Sequence, residues 1–201
     1  MKDSKKNFLY PILFTLIVAA VTTCLLASIN HLTSDAIALN EQTVLRKTIL
    51  YVFNIDYPDD PEKIEEIFNQ RVKTKQVGDE TIYYIEEGDK ITAYAFPIDG
   101  VALWGSVHGY VAISSDYSEI LGIDFLSHSE TPGLGGRISE DWFKEQFRGL
   151  KLDDSTEEYI IYRPAPGGNV DAISGATQTS NAIRDLLNNS IHEFITEQRG
   201  Q

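Results

Sequence analysis

The sequence predicts an α+β fold, with one mixed domain carried on a helical N-terminal anchor. Its 201 residues suit one domain with an appendage. An uncharged apolar segment stands near the start of the chain. Beyond it, short strand-like runs bounded by turn residues lie between stretches that have helical periodicity. Strands and helices that are both present but not strictly alternating are typical of the α+β class.

The apolar segment at residues 8–29 reads FLYPILFTLIVAAVTTCLLASI and contains no charged side chain. A helix of this length spans about 33 Å, which is enough for the ~30 Å hydrocarbon core of a bilayer. Pro11 falls near the start of this helix, where a missing backbone N–H costs little. The sequence therefore predicts a transmembrane anchor within residues 1–30, surrounded by membrane lipid, and a domain over residues 31–201.

The side of the membrane follows from the charges that flank the apolar segment. Lys2, Lys5 and Lys6 precede it, whereas residues 30–45 contain neither lysine nor arginine. By the positive-inside rule the N-terminus is cytoplasmic, so the domain lies on the periplasmic or extracellular side of the cell inner or plasma membrane. A cleaved signal peptide is the alternative, because it also starts with positive charge, but its apolar core would be unusually long.

The charge and the cysteine content exclude several classes of function. The formal net charge of −13 leaves no basic face for phosphates, so a nucleic acid is not expected as a partner. The chain has one cysteine, Cys24, inside the apolar segment. Disulfides within the chain, Cys-ligated zinc, iron–sulfur clusters and a C-x-x-C-H haem site are therefore excluded. If this protein carries electrons, its cofactor is organic.

The predicted elements after the anchor follow one another closely. A juxtamembrane helix is predicted at residues 34–52, and a second helix follows the cap Asp60-Pro61. A later helix is opened by Ser139, and a closing helix begins at Thr179 or Ser180. Period-two alternation and turn residues predict strands at 81–86, 91–98, 107–114, 119–127 and 158–163.

Residues 171–180, DAISGATQTS, stand at the entrance of the closing helix. A helix that begins there offers unpaired backbone N–H groups and a partial positive charge, so its entrance suits an anion. Gly175 and Ala176 leave space for a large group beside the backbone. Ser174, Thr177 and Thr179 supply hydroxyl side chains. A phosphate fits these residues, and the alternative is an ordinary N-cap formed by Thr179 or Ser180.

A second loop, HSETPGLGG at residues 128–136, follows a predicted strand. Thr131 and Pro132 set a rigid turn, and three glycines in four positions admit a flat ligand close to the backbone. His128 and Glu130 have side chains that can bind a metal, but two ligands alone are too few for a typical metal site. We therefore expect hydrogen bonds to the backbone from both residues, and no metal.

The two loops together resemble a known family. The chain is similar to the FMN-carrying subunits of the Rnf and Na⁺-translocating NADH:quinone oxidoreductase complexes, RnfG and NqrC. The resemblance rests on HSETPGLGG at 128–136, on SGAT with a following TS at 174–180, and on LWG at 103–105 before GYVA at 109–112. It implies a single N-terminal transmembrane helix followed by an extracytoplasmic FMN-binding domain.

In this family, the threonine that closes the D-x-x-S/T-G-A-T motif carries FMN through a phosphoester bond. The resemblance therefore implies covalent FMN on Thr177, with Asp171 as the leading acid of the motif. It also implies a separate flavin transferase, which makes the bond from FAD. The other implied FMN-binding residues are Ser174, Gly175, Ala176, Glu130, Thr131, Gly133, Leu134, Gly135, Leu103 and Trp104.

The implied function is an electron relay within a membrane ion-translocating redox complex, together with other membrane subunits. The chain length suits RnfG of an Rnf-type ferredoxin:NAD oxidoreductase, whereas residues 103–105 and 130–136 look more like NqrC, which stays the alternative. A stand-alone membrane-anchored flavoprotein of extracellular electron transfer is a further alternative. A binding or regulatory domain of the same fold is another, and the intact Thr177 argues against it. The sequence shows no nucleophile–base pair and no G-x-G-x-x-G loop, so we expect no autonomous enzyme.

Overall fold

The computed structural model describes residues 3–78, 80–153, 156 and 158–200, with side chains from residue 9 onward. The chain divides into two compact units, Met1–Gln42 and Thr43–Gln201. Helix α1 covers Asp3–Val52, so the predicted anchor and the predicted juxtamembrane helix are one continuous helix. The helix passes through residue 30, the predicted domain boundary, without a break.

The apolar part of α1 is compatible with a membrane anchor. Among the described residues, α1 is the one helix that is long and apolar enough to cross a membrane. Its hydroxyl side chains donate to the carbonyl one turn earlier, as Thr15 does to Pro11 at 2.8 Å, Thr22 to Val18 at 2.7 Å and Ser28 to Cys24 at 2.7 Å. These bonds satisfy polar side chains that no water would reach inside a bilayer.

The second unit is built on a five-stranded antiparallel sheet with the strand order β1-β2-β3-β4-β5. The strands are β1 Lys73–Val77, β2 Glu80–Glu87, β3 Lys90–Val101, β4 Ser106–Ser114 and β5 Ile120–His128. The four strands predicted between residues 81 and 127 are confirmed, each within three residues of its limits. The prediction missed β1, because KTKQV has four exposed residues and no apolar alternation.

Alternation along the strands gives the sheet two apolar faces. One face packs on helix α4, Thr177–Arg199, where Phe96 of β3 stacks on Phe194 with 4.0 Å between the ring centroids. The opposite face packs on the C-terminal end of α1, residues 49–52, and on helix α2, Pro61–Arg71. The sheet is therefore the middle layer of three.

The predicted start of α2 is confirmed. The Asp60 side chain accepts a hydrogen bond from the Glu62 backbone N–H at 3.1 Å, and Pro61 is the first helical residue. The N–H of the first helical residue has no partner within the helix, so a proline, which lacks this N–H, removes no hydrogen bond there. Ile64, on the predicted apolar stripe, is fully buried.

The helix predicted after Ser139 is broken into short turns. A 3₁₀ turn covers Gly135–Ser139, helix α3 covers Asp141–Lys144, and a second 3₁₀ turn covers Glu145–Phe147. The prediction that Ser139 caps this helix is wrong, because Glu140 precedes α3 and the Ser139 hydroxyl lies 3.0 Å from His128 Nε2 instead.

The strand predicted at residues 158–163 is wrong. Its backbone bonds partly to side-chain amides and partly to the backbone of Asn169 and Val170, without forming a strand. Asn188 of α4 bonds both the N–H and the C=O of Ile160. Asn169 accepts from the Ile161 N–H at 3.0 Å and donates to the Tyr159 carbonyl at 2.8 Å. One isolated parallel bridge pairs Tyr162 with Val170, and the Arg163 N–H donates to the Val170 carbonyl at 2.9 Å.

Candidate functional site

The two loops identified in the sequence meet a third, at residues 102–105, around one buried carboxylate. Glu130 Oε1 accepts a hydrogen bond from the Trp104 backbone N–H at 2.8 Å. Its other oxygen, Oε2, accepts from the Thr179 hydroxyl at 2.5 Å. Glu130 is 5% exposed and Thr179 is 1% exposed. Three segments that are distant in sequence are therefore joined by the side chain of Glu130.

His128 supports the start of the glycine-rich loop at residues 130–136. Its Nδ1 accepts the Glu130 backbone N–H at 3.2 Å. A neutral imidazole with an accepting Nδ1 carries its proton on Nε2, which then donates to the Ser139 hydroxyl. His128 and Glu130 therefore both bond to neighbouring backbone groups, as the sequence predicted.

Gly133 and Gly135 serve different purposes in this loop. Gly133 has φ +75, and a Cβ built on it would meet nothing within 4 Å. A Cβ on Gly135 would overlap Glu130 Oε2 and the Thr179 hydroxyl. Glycine is therefore needed at position 133 because the backbone there has a positive φ, and the space beside it is open. At position 135 glycine is needed because Glu130 and Thr179 approach the backbone closely.

The glycine-rich loop also reaches the loop before α4. Gly175 has φ +79, and Leu134 Cδ2 lies 3.6 Å from where its Cβ would be. Leu134 is 48% exposed. The SGAT loop and the glycine-rich loop therefore border one common surface.

Three exposed apolar side chains, Leu103, Trp104 and Leu134, belong to the loops of this site. Among the described residues beyond α1, the exposed large hydrophobic side chains are Val101, Leu103, Trp104, Leu134 and Trp142. Leu103 is 50% exposed and Trp104 is 67% exposed, and both belong to the loop that Glu130 holds. Clustered exposed apolar side chains commonly mark a binding surface. Together with the open space at Gly133, they fit a flat aromatic ligand.

Helix α4 begins at Thr177, two residues before the earlier of the predicted starts. The alternative of an N-cap at Thr179 or Ser180 is wrong. The Thr179 hydroxyl donates to Glu130, and the Ser180 hydroxyl accepts the Ile173 N–H at 3.0 Å. The N-cap residue is Ala176, which makes no side-chain hydrogen bond. The first turn therefore has no side-chain cap there and suits an anion.

The four hydroxyls near the start of α4 differ in accessibility. Ser174 and Thr177 are exposed, whereas Thr179 is 1% exposed and Ser180 is fully buried. The carboxylate of Asp171, the leading acid of the motif, pairs with Arg163 at 2.8 Å. Two hydroxyls are therefore open to an external reagent. The sequence did not reveal the role of Thr179, because its partner is 49 residues away.

Residues 103–192 match the FMN-binding domain family, and this range contains Trp104, Glu130 and Thr179 of the three loops. Over these residues the chain is therefore similar to FMN-binding domains. Over 97% of its length the chain is 26% identical to the RnfG protein of the proton-translocating ferredoxin:NAD(+) oxidoreductase complex of Clostridium ljungdahlii, of which it covers 96%. This confirms the resemblance inferred from the sequence.

A second kind of relative matches a shorter part of the chain. Over 51% of its length, the chain is 35% identical to the NqrC protein of the Na(+)-translocating NADH-quinone reductase of Vibrio anguillarum. The chain spans 43% of the length of that relative.

Solved structures share the fold. The crystal structure of NqrC of the Na(+)-translocating NADH-quinone reductase from Parabacteroides distasonis superimposes with a TM-score of 0.65 at 27% identity, over 79% of this chain and 92% of that one. The Shewanella oneidensis NqrC structure has the same fold, with a TM-score of 0.60 at 19% identity over 71% of this chain and 88% of that one. The α+β fold with an FMN-binding sheet domain is therefore confirmed.

Proposed function

We propose that this chain is an electron-relay subunit of a membrane ion-translocating redox complex of the Rnf type and that it carries FMN covalently on Thr177. The observation that carries the proposal is the exposed Thr177 at the uncapped start of α4, beside a surface of exposed apolar side chains and glycines. When bound, FMN supplies reversible transfer of one or two electrons. Residues of the three loops of the site attach it, orient it and border it.

Thr177 is the attachment residue. Its hydroxyl attacks the phosphorus of the FMN half of FAD in a separate flavin transferase. An Oγ–P bond forms, the pyrophosphate P–O bond breaks, AMP leaves, and the hydroxyl proton passes to a base of the transferase. Of the two exposed hydroxyls, only that of Thr177 belongs to α4, and it is at the first helical residue. There the phosphate lies beside the positive end of the helix dipole.

When FMN is bound, the loops that Glu130 joins would border its isoalloxazine ring. Thr131 and Gly133 are exposed and Gly133 faces open space, so the ring can approach the backbone there. Leu103, Trp104 and Leu134 supply apolar contact. Burial of this exposed apolar surface under the ring contributes to holding it in place. Ser174, Gly175, Ala176 and Gly135 complete the proposed contact set.

The apolar part of α1 anchors this domain in the membrane. We place the domain on the periplasmic or extracellular side, because Lys2, Lys5 and Lys6 precede the span. The side chains of these lysines lie outside the described part of the structure, so this topology rests on the sequence. An ester tether retains the flavin where no cytoplasmic pool resupplies it.

Other subunits of the complex carry the ions. Residues 8–29 form one span with no charged side chain, and a single helix of this kind offers no ion pathway. The similarity to RnfG of Clostridium ljungdahlii covers 97% of the chain, which supports the Rnf type. An Nqr-type complex is the second candidate. It is supported by the 35% identity to the Vibrio anguillarum protein and by the likeness to the solved structures.

Two measurements on the full-length protein test this function. When a flavin transferase is co-produced, the intact mass of the protein should exceed the mass of the polypeptide by the mass of one FMN minus one water. Gentle detergent extraction and a native gel should recover the chain with other membrane subunits, identified by mass spectrometry. Recovery as a free monomer, together with unchanged membrane NADH-dependent electron transfer after deletion, would support the stand-alone flavoprotein instead.

A further inference from the structure

Thr177 and Thr179 stand two residues apart in the first turn of α4, but their side chains face different environments. Thr177 is exposed, whereas Thr179 is 1% exposed and donates its hydroxyl to Glu130 Oε2 at 2.5 Å. The helix backbone fixes these two residues relative to each other. The Thr179–Glu130 bond therefore fixes the position of Thr177 relative to the glycine-rich loop.

The same carboxylate reaches the third loop of the site. Glu130 Oε1 accepts the Trp104 N–H at 2.8 Å, so one buried group bonds both the start of α4 and the loop at residues 102–105. Gly135 lets the three groups meet, because any Cβ there would overlap Glu130 and Thr179. A buried carboxylate oxygen that loses its donor is costly, so the two hydrogen bonds stabilise one arrangement of the loops.

We propose that Thr179 is a positioning residue, which acts through Glu130 to hold the attachment end of the flavin site in register with the loops that border the ring. Thr179 forms no bond to FMN in this account. The proposal rests on the function proposed above, because it needs FMN at Thr177 and the ring against the glycine-rich loop. It assigns the second threonine of SGATQT a role distinct from that of the first.

Matched substitutions isolate the hydroxyl. Thr179→Val keeps the size and the branching at Cβ but removes the donor, so Glu130 Oε2 loses its hydrogen bond. Thr179→Ser restores the donor. Ile191→Val trims a fully buried side chain of the same helix, which serves as a control for loss of stability alone.

The experiment uses the full-length chain in detergent, co-produced with a flavin transferase and studied below the unfolding midpoint of every variant. Flavin fluorescence in denaturing gels reports attachment. Flavin fluorescence anisotropy and the shape of the visible band report how firmly the ring is held. Thr179→Val should keep the attached flavin but show lower anisotropy and a smoother band, while Thr179→Ser and Ile191→Val should match the wild type.

Wild-type anisotropy and spectrum in Thr179→Val would overturn the proposal, and so would an equal loss in Ile191→Val. A wild-type gel without fluorescence would refute the attachment at Thr177. The role of Thr179 would then be tested by non-covalent binding of FMN. In that case the Kd for added FMN, measured on chains produced without the transferase, should be about tenfold weaker for Thr179→Val than for Thr179→Ser. Equal Kd values would overturn it.

Discussion

The side chain of Asn188 hydrogen-bonds both backbone polar groups of Ile160. Its Oδ1 accepts from the Ile160 N–H at 2.9 Å, and its Nδ2 donates to the Ile160 carbonyl at 3.1 Å. Asn188 is 8% exposed and Ile160 is fully buried. One side-chain amide thus satisfies both backbone groups of a buried residue. It ties the segment around Ile160 to α4, the helix that begins at the proposed attachment residue.

We predict that Asn188→Leu destabilises the domain by about 2–4 kcal/mol, because two buried backbone groups lose their partners. Chemical denaturation of the detergent-solubilised chain measures this change. The adjacent Asn189 is exposed, so Asn189→Leu is a matched control that should change stability by less than about 0.5 kcal/mol. Equal effects of the two substitutions would contradict the bonding pattern.

We predict that the contribution of Glu145 to stability falls as the solution becomes acidic. The hydrogen bonds from the Arg148 guanidinium, together with one from the Tyr51 hydroxyl at 2.6 Å, hold the pKa of the Glu145 carboxyl at about 2. A carboxyl whose pKa is lower in the folded than in the unfolded state stabilises fully above the unfolded value of about 4.3. That stabilisation is lost as the pH falls through this value toward 2.

The thermal midpoints of the wild type and of Glu145→Gln measure this dependence. The wild type should be the more stable at pH 7, and the difference should narrow between about pH 4.5 and pH 2. A difference that stays constant over this range would show that the charge of Glu145 contributes nothing.

Gly133→Val and Gly135→Val should have different effects on the flavin site. Valine at Gly133 projects into open space at φ +75, so it should strain the backbone and alter the visible band of a flavin that stays attached. Valine at Gly135 would displace Glu130 and Thr179, so it should also lower the unfolding midpoint more strongly. Absorption spectra and thermal melts of both variants compare them. Unaltered spectra in both would place the ring elsewhere.

Trp104→Ala should change the reduction potential of the flavin without changing the stability of the domain. The indole is 67% exposed, so its removal should alter the free energy of unfolding by less than about 0.5 kcal/mol. Redox titration with visible detection measures the potential. Trp142, the other tryptophan and 39% exposed, provides the control variant Trp142→Ala, which should keep the wild-type potential. Identical potentials in all three proteins would remove Trp104 from the site.

Much of the fold could be predicted because its signals are local. Alternation of apolar residues predicted β2 to β5, and the sequence Asp60-Pro61 predicted the start of α2. β1 could not be predicted, because a strand of exposed polar residues has no such pattern. Residues 158–163 have the composition of a strand, but the partners of Ile160 and of the Ile161 N–H are the side-chain amides of Asn188 and Asn169. No local pattern reveals a side-chain amide in that role.

The same reason limits prediction of the candidate site. The resemblance indicated which loops belong together, and the structure brings residues 102–105, 130–136 and 174–179 to one place. Thr179 and Ser180 have the side chains of N-caps, which is why α4 was predicted to start there. Both hydroxyls are used elsewhere, by Glu130 and by Ile173, so the helix begins at Thr177 without a side-chain cap.

Flavin fluorescence in a denaturing gel tests the central claim most directly. The full-length chain is co-produced with a flavin transferase as wild type, Thr177→Ala and Ser174→Ala, since Thr177 and Ser174 are the two exposed hydroxyls of the SGAT loop. A covalent ester survives denaturation, so the wild type and Ser174→Ala should fluoresce under ultraviolet light, while Thr177→Ala should be dark. A fluorescent Thr177→Ala band, or a dark wild-type band, would contradict attachment through Thr177.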